Sequence, residues 1–238
     1  GADDVTLDCQ GHTIMGDNTT GNDGIITTYD NININNCTIK YFDHGIELDW
    51  AHNITVTHCN ITSYVSNGLD ARGITNLTVG NNNFFSNSSS ALYANDVIDS
   101  LIEFNYLESN SSYAFHTESQ YFNNSIFRNN TGISQSWLAL ELDGNHNLYY
   151  NNTGTSYSQK GISVSGSFNN YTDNIALSTN FTAMDLDGNN HIFENNNMTS
   201  FEAGAVYTLD LDYSLLKNNY LKGGNGSGYN SGSGSDHN

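Results

Sequence analysis

Two parallel series of side chains carry most of the ionisable chemistry in this chain of 238 residues. The first is Glu47, Asp70, Tyr93, His116, Glu141, Ser163, Asp185 and Tyr207; the second, two residues further on each time, is Asp49, Arg72, Asn95, Glu118, Asp143, Ser165, Asp187 and Leu209. Carboxylates clump within them, as Glu47/Asp49/Asp70 and as Glu118/Glu141/Asp143, with His116 beside the second group. At one strand spacing, neighbours in a series lie about 5 Å apart, and water, a raised pKa or a bound cation must relieve the repulsion. A glycoside hydrolase uses two such carboxylates as acid and base or nucleophile, and Tyr93 and Tyr207 offer faces for sugar rings. The catalytic candidates are Asp70, His116, Glu141 and Asp143. An eliminating lyase needs Arg or Lys as base with Ca²⁺ on acidic groups, and Arg72 is the only basic residue in the two series.

Asp185-Leu186-Asp187-Gly188-Asn189 and Glu141-Leu142-Asp143-Gly144-Asn145 imitate the start of a calcium loop, with hard oxygen donors ending a strand. Asp143, Asp185 and Asp187 are the metal candidates on this basis, with Ca²⁺ as the cation; no distal Glu follows either run, and Asp-Gly also makes an ordinary turn. The histidines do not fall at metal-ligand spacing, so His12, His44, His52, His58, His146 and His191 read as turn or ladder residues.

Positioning these groups requires a repeat. Small residues recur at Gly24, Gly45, Gly68, Ala91, Ala114, Ala139, Gly161, Ala183 and Ala205, about every 22 or 23 residues. A second series, Cys37, Cys59, Asn82, Asn105, Asn129, Asn151, Asn174, Asn196 and Asn218, keeps the same register. After each small residue apolar and polar groups alternate, as in Ile46-Glu47-Leu48 and Leu140-Glu141-Leu142, which is strand period. Three short strands with turns fill one period, and each pairs in parallel with its copy a coil away. The result is an all-β parallel solenoid of about ten coils. Stacked Asn amides bond up and down a column, and Asn tolerates left-handed backbone. A second turn column is read at Asn31, Asn53, Asn76, Asp99, Asn123, Asn145, Asn190 and Asp212. Proline is absent, as fits strands whose N–H groups are nearly all used.

The opening Leu7-Asp8-Cys9-Gln10-Gly11-His12-Thr13-Ile14 and the coil from Gly45 to Ile61 resemble the pectate-lyase-like right-handed parallel β-helices, NosD-type and archaeal surface-protein versions above all. The likeness covers about residues 3 to 222. It implies a right-handed, single-stranded β-helix over 1–222, followed by a Gly/Ser-rich tail at 223–238. On function it implies little, because that superfamily spans lyases, hydrolases, copper-maturation proteins, adhesins and envelope proteins. The polygalacturonase set of Asn-Thr-Asp, Asp-Asp, Gly-His-Gly and Arg-x-Lys is not found, since Asp3-Asp4 lies outside the two series.

A net charge of −19 with six basic residues excludes nucleic acid and anionic membrane as partners, and no stretch reaches membrane-spanning length. Asn-x-Ser/Thr sequons at Asn18, Asn87, Asn110, Asn180 and Asn225 fall in loops and are the expected N-glycan acceptors, whereas Asn129 and Asn151 are placed in the ladder. They point to an extracellular, cell-surface setting. Cys37 and Cys59 occupy one column in successive coils and are the disulfide candidate; Cys9 is out of register. No amphipathic helix caps the coil stack, and open strand edges invite head-to-tail stacking. The expectation is a self-assembling subunit of a sheath, surface layer or filament. The alternative is a carbohydrate-active or carbohydrate-binding β-helix at the cell surface.

Overall fold

The computed structural model describes residues 1–118, 121–224 and 228–231. Every strand pairing in it is parallel, and partners lie about one repeat apart, as Glu47↔Asp70, Asp70↔Tyr93 and Tyr93↔His116. One sheet holds ten short strands from Thr13–Met15 to Tyr220–Lys222; the other two faces of each coil run together through the bends, as in the continuous strand Leu69–Gly80. Inside the Gly/Ser-rich segment, Tyr229–Ser231 pairs with the Val206–Asp212 strand, so the sheet extends past residue 222. Among the described residues no helix is long and apolar enough to cross a membrane.

The core is a set of stacked columns. Ile34, Val56, Val79, Ile102, Phe127, Tyr149, Tyr171 and Phe193 follow one another up one face, and the Tyr149–Tyr171 and Tyr171–Phe193 rings stack at 4.9 and 4.8 Å. Where this column turns aromatic, the facing column shrinks to Gly132 and Gly154; a Cβ on Gly132 would lie 2.3 Å from Leu140 Cδ2. Volume is thus conserved coil by coil.

Each of the three corners has its own inward polar column, because a bend breaks the ladder and strands backbone groups that a side chain must satisfy. At one corner the Oδ1 of Asn82, Asn105, Asn130, Asn152, Asn174, Asn196 and Asn219 accepts the N–H of the residue one coil before, at 2.8 to 3.0 Å. At the second, Ser100, Ser125, Asn147, Asn169, His191 and Ser214 do the same. At the third, Ser86, Ser109, Ser134, Ser156, Ser178 and Ser200 donate to carbonyls of the preceding turn.

The asparagine ladder therefore corrects the register read from sequence at three positions. Asn129, Asn151 and Asn218 sit one residue before it, at φ of 55°, 54° and 55°. Asn151 is exposed and donates to Asn129 Oδ1 at 2.6 Å, outside the core. The cause is that both the left-handed turn position and the ladder position favour Asn, so Asn-Asn pairs hide the phase. In the second turn column Asn31, Asn53, Asn76, Asp99 and Asn190 take the left-handed position, but Asn124, His146 and Tyr213 hold it in place of Asn123, Asn145 and Asp212.

The disulfide also differs. Cys9 bonds Cys37, with Cα atoms 4.8 Å apart, and Cys59 is a buried free thiol. Strand pairing explains both. Asp8 and Thr13 are five residues apart where their partners Asn35 and Thr38 are three apart, so two extra residues at Gln10-Gly11 bulge out of the first coil. The bulge hides Cys9 from the repeat and frees it to turn towards Cys37. In-register Cys37 and Cys59 have parallel Cα–Cβ bonds, which keep Cβ atoms near the rung spacing rather than converging as a disulfide requires. The Cys59 sulfur lies against the Thr57 carbonyl instead, at 3.2 Å.

Candidate active site on the acidic strand face

The two series of the sequence do form two columns on one strand face, from Ile46–Asp49 to Val206–Asp212. Every second residue of each strand points into the core, so the ionisable ones point out in line. Two clusters result.

The central cluster is built around His116 and Glu141 on adjacent strands. His116 Nε2 lies 3.1 Å from Glu141 Oε2, and that buried oxygen receives no aligned hydrogen bond. Tyr113 stacks on the imidazole at 4.1 Å and Tyr93 tilts over it at 5.1 Å. Burial between these rings lowers the His116 pKa, so the ring is neutral at pH 7. Burial first, and then the Asp143 charge, push Glu141 up to about 8, so this carboxyl holds its proton at neutral pH. Asp143, itself buried, is raised to about 6, with Ser165 hydrogen bonds opposing the rise. Tyr93 donates to Glu118 Oε1 at 2.5 Å; burial and that bond push its pKa far up. Exposed Trp137 meets the Tyr113 edge and forms a wall beside the cluster. Two groups whose environments move their pKa values in opposite directions make an acid–base pair.

Beneath the cluster, the core fixes the strand end. The buried hydroxyls of Tyr149 and Tyr171 donate to the carbonyls of Asp143 and Leu142, at 2.9 and 3.1 Å. Gly144, Gly166 and Gly188 then stack with φ of 116°, 100° and 105°, and a Cβ on Gly166 would lie 2.0 Å from the Gly144 oxygen. Gly144 and Gly188 of the two Asp-Gly pairs thus let the backbone bend where a Cβ would clash. Further along the face, Lys160 Nζ is 2.5 Å from Asp185 Oδ2 and Thr182 donates to Oδ1 at 2.7 Å. Phe181, Gln159 and Tyr207 complete a cleft of about 470 Å³ over this pair. It continues towards Asp143, Ser165 and Asp187.

The second cluster lies nearer the N terminus. His44 Nδ1 is 2.8 Å from Asp23 Oδ1, and Nε2 is 2.8 Å from Ser66 Oγ and 3.3 Å from Asp70 Oδ2. Asp70 is fully buried and also receives Asn67 and Arg72, each at 2.8 Å. Hydrogen bonding to Asp70, then to Asp23, raises His44 to about 9, whereas burial raises Glu47.

The structure thus brings His116, Glu141 and Asp143 together and separates Asp70 from His116 by two rungs, about 10 Å, and from Glu141 by three, about 14 Å. Asp143, Asp185 and Asp187 do not converge on one point; a lysine ammonium meets Asp185. Among the described residues the carboxylate and imidazole atoms that do converge are those of Asp23, His44 and Glu47, all within 4.8 Å. Sequence reasoning placed Glu47 in the first series but missed Asp23 and read His44 as a turn or ladder residue, because both precede the small residues of their coils, outside both series. Asn18 and Asn180 are exposed, Asn87 and Asn110 are half-buried with Asn110 donating to Asn87, and Asn225 lies outside the described residues.

Residues 5–153 match the family model of the right handed beta helix region. The chain belongs to this β-helix family. Among solved structures, this β-helix is similar to the A-module of the mannuronan C-5 epimerase AlgE4 of Azotobacter vinelandii, with 13% identity and a TM-score of 0.63 over 90% of this chain and 74% of that one. It is also similar to DFA-IIIase of Arthrobacter chlorophenolicus A6, with 14% identity and a TM-score of 0.53 over 79% of this chain and 47% of that one. At these identities the likeness shows the fold. A comparison with curated proteins finds no match.

Proposed function

We propose that the acidic strand face is a carbohydrate-binding groove whose chemistry is centred on Glu141 and His116. The observation that carries this is a carboxyl that keeps its proton at neutral pH, 3.1 Å from an imidazole that stays neutral. Glu141 then donates a proton to an oxygen of the bound sugar, and His116 is the group able to receive one. Exposed Trp137 and Phe181 offer apolar faces for sugar rings along the same side of the groove. The two similar folds are an epimerase of mannuronan and a DFA-IIIase, which supports a carbohydrate substrate over a purely structural role. The net charge of −19 favours a neutral, hydroxyl-rich chain over a polyanion. Head-to-tail assembly into a sheath is the weaker proposal, since end contacts are open to every β-helix and distinguish none.

The test is incubation of the whole chain with neutral glucans, fructans and uronans, reading reducing ends, sugar composition and unsaturated products. Turnover that falls at least a hundredfold in Glu141→Gln, with the melting curve retained, is the expected result. Absence of both turnover and binding on every polysaccharide, or turnover indifferent to Glu141→Gln, would overturn the proposal.

A further inference from the structure

We propose that Asp23, His44 and Glu47 form a binding site for a divalent transition-metal ion of the Zn²⁺ class, with Asp70 and Ser66 as the outer groups that orient the imidazole. The three donors come from two successive coils. Asp23 and His44 precede Gly24 and Gly45 at one corner, and the His44 N–H donates to Asp23 Oδ1 at 3.0 Å, which fixes them side by side. Glu47 follows on the strand after Gly45 and faces the same way. One ligand atom from each lies within 4.8 Å of the other two, a spacing that an ion with bonds of about 2.0–2.2 Å spans after small side-chain rotations.

The second observation is Asp70. Its carboxyl is fully buried against the cluster, with Oδ2 facing His44 Nε2 at 3.3 Å, while Oδ1 is buried without any hydrogen-bond partner. Burying a carboxylate with an orphaned oxygen is costly, and Arg72 and Asn67 both bond the other oxygen. A carboxylate set behind one nitrogen of an imidazole, with the other nitrogen turned to a second carboxylate, here Nδ1 at 2.8 Å from Asp23 Oδ1, is the outer-group arrangement of metal-bound histidines once an ion takes the place of the Nδ1 proton. With Nε2 held by Asp70 and Ser66, Nδ1 is the ligand, and Asp23 and Glu47 supply one oxygen each. One nitrogen and two oxygens suit Zn²⁺ and its neighbours better than Ca²⁺, which takes six to eight oxygens. All three donors are partly exposed, and an open depression lined by Asp17, Asn22 and Asp23 gives an ion access and leaves room for a water ligand. Glu47 is four rungs, about 19 Å, from Glu141, so the site is separate from the proposed acid–base pair.

The test is equilibrium dialysis of the whole chain against ZnCl₂, with X-ray absorption of the retained metal. One Zn²⁺ per chain, in a shell of one nitrogen and otherwise oxygen, is expected. Affinity should fall at least tenfold in Glu47→Gln and in His44→Gln, fall about 10- to 100-fold in Ser66→Ala, and stay unchanged in Glu141→Gln. No retained Zn²⁺, an oxygen-only shell, or equal retention by Glu47→Gln and His44→Gln would overturn the proposal. The stoichiometry and the shell decide it even if a variant fails to fold.

Discussion

Replacing Asn152 by Leu, which keeps the shape and removes the amide, tests the ladder where it is most continuous. Asn152 Oδ1 is the partner of the Asn130 N–H at 3.0 Å, and its Nδ2 donates to the Phe127 carbonyl at 2.8 Å and to Asn174 Oδ1 at 3.0 Å. The side chain is fully buried, so no water replaces these bonds. A buried group left unpaired costs about 1–3 kcal/mol, and one N–H and one carbonyl lose their side-chain partner outright, for a total of about 3–5 kcal/mol. At about 2–4 °C per kcal/mol for a chain of this size, the melting temperature falls by about 6–20 °C. The matched control is Asn151→Gly, because glycine accepts the 54° φ at no steric cost and only one exposed amide contact is lost. Its shift should stay within about 2 °C, corresponding to roughly 0.5 kcal/mol. Calorimetry of the two variants side by side is the assay. Equal shifts, or a larger one for Asn151→Gly, would refute the assignment of Asn152 rather than Asn151 to the ladder.

Three further outcomes follow from the site and the cross-link. Glu141 has a folded pKa of about 8 against 4.5 when free, so the folded state binds the extra proton between these values and stability falls as pH rises from about 4.5 to 8. Asp143, Lys160, Glu118 and His116 face the same carboxyl and are kept; Glu141→Gln should flatten the slope of melting temperature against pH in that window, and an unchanged slope would refute the assignment. Cys9→Ser opens a link between residues 28 apart, worth about 3–4 kcal/mol of chain entropy, and should lower the denaturant midpoint, whereas the native protein should show a single thiol, Cys59, reactive only after unfolding. Trp137→Ala should weaken binding of whichever polysaccharide is recognised by about tenfold, with the quenching of tryptophan fluorescence largely lost, and no change in affinity would remove Trp137 from the groove.

The period of the small residues and the alternation after them were enough to place the strand face and both of its columns, because each reports a repeated local constraint. Phase at the corners was not recoverable. Where two successive positions both favour Asn, as at Asn129-Asn130 and Asn151-Asn152, composition cannot tell a left-handed turn from an inward amide. The second polar column stayed hidden for a different reason, since Ser100, Asn147 and His191 accept the N–H groups of Leu77, Ser125 and Asn169 with unlike side chains. Cys9 was lost to a two-residue bulge, and the Asp23–His44–Glu47 group to its position across a corner. The protonation of Glu141 depends on its burial beside His116 of the neighbouring strand and on the Asp143 charge, an environment that no single coil encodes.

The corner columns also bear on how the chain reaches this state. Each ladder bond joins residues 22 to 25 apart, from Cys59 to Asn219, so the separation never grows as the stack does. The loop-closure entropy of adding a coil is then the same at every step, about (3/2)RT ln 22 plus a constant. Relative contact order comes to about 0.09, a value found among fast-folding helical bundles rather than β-sandwiches. Because the amide of one coil completes the backbone of the coil before it, an emerging chain leaves a single rung unsatisfied at any moment. Folding should run as a zipper along the axis, open to being followed while the polypeptide is still being made.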